Sequence, residues 1–238
     1  MDNIQGKGNI GVDFRKDEYD TQDLLSIMRF LRSPQGCPWD REQTHDSIKT
    51  NAVEEAYEVV DAINSKRSER ICDELGDLLL QVVFHSQIAE EEKTFCYKDV
   101  VRNICEKLIS RHTHLFGDEQ DQADSAEEVL ALWEKNKTKE KKHTDAGQIL
   151  DDIPRSFPAL LRAYKIQKKA VKKGFELTDF HNSGTTTEDI IGDKLFDLVN
   201  QARLLDIDPE IALDKANNRF IQRIKAAGDD KAGDNDEA

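Results

Sequence analysis

The chain has 238 residues, of which 37% are hydrophobic and 34% charged, and its formal net charge is −14 at pH 7. This balance argues against a nucleic-acid-binding surface, which needs a basic stripe to displace counterions. It does not exclude a small anionic ligand, because a bound metal ion reverses the local sign of the charge. Glycine and proline are scarce and no alternating strand pattern occurs, so the sequence predicts an all-α fold in one large or two small domains.

The sequence shows no signal peptide and no apolar run near 18 residues, and its four cysteines form no CxxC pair. We therefore expect a cytoplasmic protein that does not enter a membrane. The cysteines have two interpretations. They could bind zinc, or, more simply, they could pack as small hydrophobic residues.

Residues 1–19 are Gly-rich and polar and predict a flexible N-terminal tail. The first predicted helix covers residues 20–32, with Asp20 or Thr21 as its N-cap. The turn SPQGCPWD follows at residues 33–40. Trp39 within it is predicted to be a packing anchor, and base stacking is the alternative.

The segment SIKTNAVEEAYEVVDAIN predicts a helix with one apolar face and one acidic face. Four carboxylates fall within about a third of a turn, and no Lys or Arg lies between residues 53 and 65 to neutralise them: Glu54, Glu55, Glu58 and Asp61. Taken alone, this pattern also describes a solvated polar face, since polar outer faces are the norm.

The run ICDELGDLLLQVVFHSQIA, residues 71–89, predicts a second helix that is apolar nearly all the way round. Its polar residues form one narrow stripe of Glu74, Asp77, Gln81 and His85. A helix of this kind is buried among other helices, and a buried carboxylate is costly unless a cation meets it. The stripe therefore indicates a metal ion or a basic partner. His85, at its end, is interpreted as a core residue that at most supports the site.

The linker NSKRSER between these helices is short, so they should be antiparallel neighbours. EExxE then faces ExxD, and three or four carboxylates converge as a site for a hard cation, Mg²⁺ or Mn²⁺. The second helix has a wider apolar face than one unit can cover. We therefore expect a homodimer in which helices 44–64 and 71–92 pack against their symmetry mates.

Residues 99–111 predict a further helix with four inward residues: Val100, Val101, Ile104 and Leu108. Lys107 and Arg111 lie one turn apart on it and could meet an anionic ligand or simply face solvent. His112 and His114 more simply cap the helix end than bind metal. Ser125 and Glu128 predict a capping box that starts the next helix, which runs into the charged linker NKTKEKKHT.

The last part of the chain looks like a damaged copy of the first. Gly192-Asp193-x-Leu195 echoes Gly76-Asp77-x-Leu79, but Ile190 stands where Glu74 stands and no EExxE precedes it. This copy cannot assemble the acidic cluster by itself. The predicted organisation is a flexible tail (1–19), a first unit with the acidic motif (20–118), a helix and charged linker (119–150), a degenerate unit (151–228) and an acidic tail (229–238).

Six segments carry a more specific signal: GCPWDREQT (36–44), EEAYE (54–58), ELGDLLLQVVFH (74–85), KLISRHTHLFG (107–117), DDIPRSFPALLRAYKIQK (151–168) and GDKLFDLVNQAR (192–203). In this order they resemble the MazG family of nucleoside triphosphate pyrophosphohydrolases, over roughly residues 24–224. The resemblance implies MazG-like helical bundles in two tandem units, and a dimer, which is the usual state in the family. It also implies Mg²⁺-dependent cleavage of NTPs or dNTPs to the monophosphate and pyrophosphate, as in the house-cleaning of nucleotide pools.

Residue by residue, the resemblance implies four metal ligands: Glu55, Glu58, Glu74 and Asp77. Glu54 matches the first acid of the motif as a supporting or base residue, and Glu54 or Glu58 could accept the proton of the attacking water. Lys107 and Arg111 match positions that approach the phosphates. The chain departs from the family in its second unit, where both acidic motifs are broken.

Two other functions fit parts of the pattern. Di-iron bundles need a Glu-x-x-His on each of two helices. Glu42-x-x-His45 and Glu140-x-x-His143 exist, but the first follows a turn and the second lies in a Lys-rich run without an apolar face. The alternative within the family is a nucleotide-binding regulatory module with little or no turnover. The preferred base and sugar stay open.

Overall fold

The structure, a computed structural model, describes residues 14–117, 121–140, 150–151, 153–177 and 185–233. These residues form eleven α-helices and no strand, which confirms the predicted all-α class: α1 Thr21–Leu31, α2 Pro38–Glu42, α3 His45–Ile48, α4 Asn51–Ser65, α5 Ser68–Glu91, α6 Tyr97–Arg111, α7 Thr113–Phe116, α8 Ala126–Glu140, α9 Ala159–Lys172, α10 Thr187–Leu204 and α11 Pro209–Gly233. The chain divides into two compact units, Met1–Asn136 and Lys137–Ala238, which are described separately. The division falls inside the segment 119–150 that the sequence assigns to a helix and linker.

The N-cap of the first helix is Asp20, one of the two residues predicted for this position. The Asp20 carboxylate accepts the N–H groups of Gln22 and Asp23, and the Asp23 carboxylate accepts the Asp20 N–H in return. This reciprocal capping box satisfies donors that a helix end leaves without a partner. After α1 the chain turns so tightly that a Cβ on Gly36 would collide with backbone carbonyl oxygens of α1, so only glycine fits there.

Helix α5 is the centre of the first unit and packs against α4, α1 and α6. The core consists of five residues that are at most 6% exposed: Met28 of α1, Ile48 of α3, and Val83, Phe84 and Ile88 of α5. All-round burial of α5 was predicted, but its buried residues lie only in the second half of the helix. Leu75 and Leu79 in the first half are exposed, as is Val82 just past the middle, because α1 and α3 reach the second half and cover one side of it.

Helices α4 and α5 form a tight antiparallel hairpin, as the short linker predicts. Lys66 ends α4 in the left-handed conformation (φ 57°), and α5 begins two residues later at Ser68. The α4 face toward α5 is built largely of small side chains, since Ala62 is fully buried and Ala52 and Val59 are half-buried. The bulkier apolar residues of α4 stay exposed: Val53, Tyr57, Val60 and Ile63.

Arg32 at the end of α1 ties three segments together. Its guanidinium donates to both carboxylate oxygens of Glu91, with the shortest contact at 2.7 Å, and to the backbone carbonyls of Asp40 and Gln43. It also lies over the Phe84 ring, 5.4 Å from the centroid, and its side chain is only 5% exposed. Arg32, rather than Trp39, therefore anchors the 33–43 segment. The predicted anchor role of Trp39 is wrong within this chain, because its side chain is 59% exposed.

Two further predictions about helices need correction. On α6, Val101, Ile104 and Leu108 were expected to point inward, yet all three are exposed, because α6 lies at the edge of the first unit. The charged run after Trp133 was expected to be a linker, yet α8 continues to Glu140. The Ser125 hydroxyl accepts the Glu128 N–H, as a capping box requires, whereas the Glu128 carboxylate accepts the N–H of Asp124.

In the second unit α9, α10 and α11 pack against one another, whereas in the first unit α1 and α6 each pack against α5. Val199 on α10 is buried like Val83 at the matching position of α5, and Ile190 at the position of Glu74 is exposed. The fully buried Gln167 of α9 donates to the carbonyl of Phe196, 2.8 Å away, and so joins α9 to α10. No counterpart of α4 occurs among the residues described in this unit.

Candidate metal site

Three carboxylates converge across the α4–α5 hairpin. One oxygen each from Glu55, Glu58 and Glu74 lies within 4.8 Å of the other two. Glu55 and Glu58 are one turn apart on α4, and the tight turn at Lys66 brings Glu74 of α5 opposite them. Oxygens on opposite sides of a bound Mg²⁺ lie about 4 Å apart, so this spacing and this all-oxygen donor set fit one hard divalent cation.

The electrostatics of the cluster also favour a cation. The pKa of Glu55 is raised, first by burial and then by the negative charges of Asp77, Glu58 and Glu54. The pKa of Glu74 is also raised, first by burial and then by the charge of Glu58 and a hydrogen bond shared with it. Glu55 and Glu74 therefore resist ionisation, and a divalent cation would relieve the repulsion within the cluster.

Arg70 is a residue at this site that the sequence reasoning missed. Its Nη2 lies 3.1 Å from a carboxylate oxygen of Asp61 on α4 and 3.8 Å from one of Glu74. Its charge opposes the rise in the pKa of Glu74. The signal in the sequence is the spacing, since Arg70 precedes Glu74 by one helical turn.

The other predicted site residues lie outside the group of three converging carboxylates. Asp77 and Glu54 are exposed, and their charges act on Glu55, but neither carboxylate belongs to the converging trio. On α6, the Arg111 guanidinium lies over the Trp133 ring, 5.2 Å from its centroid, and Lys107 is exposed. The phosphate-binding role of Lys107 and Arg111 stays a prediction.

The histidines and cysteines lie elsewhere. His45 and His85 form a hydrogen bond with each other. His112 lies at the end of α6, with its Nδ1 2.7 Å from the carbonyl oxygen of Leu108. In the part of the chain that the structure covers, the acidic trio is the one group of three or more His, Cys, Asp or Glu spaced for a metal. A di-iron site needs histidine ligands, and among the described residues no histidine lies at the cluster. His143 lies outside the described residues. All four cysteines are free.

Among the described residues no helix is both long and apolar enough to cross a membrane. The fold and the site together define a class: an all-helical protein whose antiparallel helix pair carries three converging carboxylates, a donor set that suits a hard divalent cation.

Comparison with known proteins narrows this class to a family. Residues 43–116, which run from the end of α2 to α7 and include every predicted ligand, match the MazG nucleotide pyrophosphohydrolase domain. The chain is 41% identical over 220 residues to the nucleoside triphosphate pyrophosphohydrolase/pyrophosphatase MazG of Thermotoga maritima, covering 86% of this chain and 84% of that one. It is 43% identical over 224 residues to the nucleoside triphosphate pyrophosphohydrolase of Escherichia coli K12, covering 85% and 84%. The chain belongs to the MazG family, as its motifs predict.

Proposed function

We propose that this protein hydrolyses nucleoside and deoxynucleoside triphosphates to the monophosphate and pyrophosphate. The observation that carries the proposal is the convergence of Glu55, Glu58 and Glu74 across the α4–α5 hairpin in a member of the MazG family. A triphosphate brings three or four negative charges, so it can approach this acidic hairpin only together with a cation.

Mg²⁺ is the ion that the donor set suits best, with Mn²⁺ as the alternative. Glu55, Glu58 and Glu74 would hold it, and Asp77, whose charge acts on Glu55, is the proposed fourth ligand. When bound, the ion supplies positive charge that offsets the charge of the phosphate oxygens.

The chain's own side chains have the remaining roles. Glu54 or Glu58 accepts the proton of the attacking water, a task for a carboxylate placed beside the bound ion. Lys107 and Arg111 neutralise the leaving pyrophosphate. Arg70 meets Glu74 at the edge of the cluster and is a further cation within reach of the phosphates.

The reaction is tested with a panel of NTPs and dNTPs in the presence of Mg²⁺. Monophosphate and pyrophosphate should be the first products, and diphosphate with orthophosphate would show that the wrong bond is assigned. Nucleotide binding without pyrophosphate would favour the regulatory module instead. The panel also gives the preferred base and sugar.

The site is tested with a matched pair of charge-removing substitutions. Glu74→Gln keeps the volume and removes a ligand, so it should abolish Mg²⁺-dependent turnover. Asp193→Asn makes a comparable change at the matching helix of the second unit, and turnover should stay within about threefold, the scale of a change that misses the transition state. An essential Asp193 with a dispensable Glu74 would move the active site to the second unit.

We also propose that the protein acts as a homodimer in the cytoplasm. The argument is the exposed apolar surface of the hairpin: Val53, Tyr57, Val60 and Ile63 on α4, and Leu75, Leu79 and Val82 on α5. A monomer rarely leaves so large an apolar patch in water. Light scattering should give about 54 kDa, twice the mass of one 27.2 kDa chain.

A lysine at the centre of this surface tests the interface directly. Leu79→Lys should yield a monomer, whereas Leu130→Lys on α8, where the leucine is also exposed, should leave the dimer intact. A wild-type monomer at micromolar concentration, where an interface of ordinary size holds, would contradict the dimer.

A further inference from the structure

Two histidines far apart in sequence share a hydrogen bond that joins α3 to α5. The Nδ1 atoms of His45 and His85 are 2.8 Å apart. The two rings are parallel to within 5°, with centroids separated by 5.0 Å. On the other side of His45, its Nε2 lies 3.8 Å from the carboxylate of Glu92.

The hydrogen bond between the two Nδ1 atoms survives one added proton but not two. One Nδ1 must carry a hydrogen and the other must not, because a neutral imidazole has one donor and one acceptor nitrogen. A first added proton leaves one Nδ1 as an acceptor and keeps the bond, and the Glu92 carboxylate lies on the Nε2 side of His45. A second one would put two N–H groups against each other at 2.8 Å, so the bond would be lost.

The structure also indicates which ring resists the second proton. The pKa of His85 is lowered, first by burial and then by the charge of His45. The other charged groups beside the pair have partners of their own, since Arg32 of α1 binds Glu91 and Asp46 of α3 lies 3.0 Å from Lys49. His85 is therefore the ring that takes up the second proton, and it does so at a lower pH than an ordinary histidine.

The bond lies where it can influence the acidic cluster. His45 opens α3, and only Lys49 and Thr50 separate α3 from α4, which carries Glu55 and Glu58. His85 lies eleven residues after Glu74, three full turns at 3.6 residues per turn, and so on the same side of α5. The pair therefore fastens the entry to α4 onto the helix that carries the opposite ligand.

We propose that His45 and His85 are positioning residues that hold α4 in register with α5, and that a second proton on the pair releases α3 and loosens the acidic cluster. Neither residue touches the substrate. The proposal rests on the proposed function in one respect, namely that the cluster binds the divalent ion used for turnover.

Three substitutions separate this role from mere packing. The amide of asparagine reaches the place of a histidine Nδ1, donates or accepts, and does not titrate, so His45→Asn keeps the bond and removes its pH dependence. His45→Phe keeps a stacked ring and removes the bond. Lys49→Ala breaks only an exposed pair on the same helix and is the control.

The measurements are the apparent KM for Mg²⁺ in turnover from about pH 5.5 to pH 8.5, the range in which histidine titrates, and Mg²⁺ binding by calorimetry without nucleotide. In the wild type and Lys49→Ala, Mg²⁺ should bind about two- to tenfold more weakly at the acid end, the equivalent of one lost hydrogen bond. His45→Asn should lose less affinity at the acid end than the wild type, since protonation of Glu55 and Glu74 is common to all variants, and His45→Phe should be weaker throughout.

A His45→Phe variant with wild-type Mg²⁺ affinity and an unchanged pH profile would overturn the proposal, as would a His45→Asn variant with the wild-type acid loss. Failure of the proposed function looks different. If no triphosphate is turned over, hydrogen-exchange protection of α3 and the start of α4 still decides: it should fall at acid pH in the wild type but not in His45→Asn. Equal protection in both would refute the role of the pair.

Discussion

Replacing Arg32 by alanine should destabilise the first unit far more than any substitution of a surface ion pair. The guanidinium is almost completely buried and has contacts to Glu91, to the carbonyls of Asp40 and Gln43, and to the face of Phe84. Removing one partner of a buried, hydrogen-bonded pair costs about 3–5 kcal/mol when the remaining charge is also buried. Glu91 is 39% exposed and can regain water, which lowers the expected cost to about 2–4 kcal/mol.

The control is Arg29→Ala on the same helix. Arg29 meets Glu90 at 3.4 Å, and both side chains are well exposed, so this pair should contribute less than about 1 kcal/mol. Thermal unfolding followed by circular dichroism should give a fall in Tm of about 5–15 °C for Arg32→Ala and at most a few degrees for Arg29→Ala. Equal shifts for the two variants would refute the reasoning.

The pH dependence supplies a second check on Arg32. Burial raises the pKa of Glu91, but hydrogen bonds from Arg32 and Gln87 outweigh it and hold that pKa below its usual value. A carboxylate with a lowered folded-state pKa stabilises the fold above the unfolded-state value, near 4.5, and this contribution disappears as the pH falls through the folded-state pKa. The difference in unfolding free energy between wild type and Arg32→Ala should therefore shrink in acid. A difference that stayed constant down to about pH 3 would show that lost packing, not the ion pair, dominates.

The acidic cluster should have the opposite pH dependence. The pKa values of Glu55 and Glu74 are raised, so in EDTA the folded state binds more protons than the unfolded state just above pH 4.5, and stability falls as the pH rises through the folded-state values. Glu74→Gln should unfold at a higher temperature than the wild type in EDTA at neutral pH, and Mg²⁺ should raise the Tm of the wild type alone; equal Mg²⁺ shifts would contradict the ligand role. Two glycines of the first unit, Gly36 and Gly76, should differ. Gly36→Ala should be strongly destabilising because its Cβ meets the backbone of α1, whereas Gly76→Ala on α5, where a Cβ meets nothing, should stabilise by about 0.5–1 kcal/mol. Chemical denaturation of both variants measures this, and a stable Gly36→Ala would show that the turn can open.

The acidic hairpin could be predicted from the sequence because its determinants are local. A period of 3.6 residues places Glu55 and Glu58 on one side of α4, and the short linker makes α5 its antiparallel neighbour. The capping residue Asp20 was predictable for the same reason, since its partners lie two and three residues away.

Contacts between distant segments were not predictable in this way. Periodicity shows that α5 is apolar all round, but not that α1 and α3 cover only its second half and leave Leu75 exposed. Nothing local connects His45 with His85, forty residues further along the chain, or Arg32 with Glu91. These contacts depend on how helices are arranged in space, and a single sequence read in windows does not contain that information.

The two-residue connection between α4 and α5 has a consequence for how the protein folds. All three converging acids lie on one helical hairpin, so the site needs only a short loop to close, which costs little chain entropy. Hairpins of this kind have low contact order and form quickly. Mutual repulsion of the unliganded acids works against that speed, so Mg²⁺ present during refolding should accelerate the first unit, and Glu74→Gln should fold fast without it. The metal would then act on the folding rate of the first unit as well as on its chemistry.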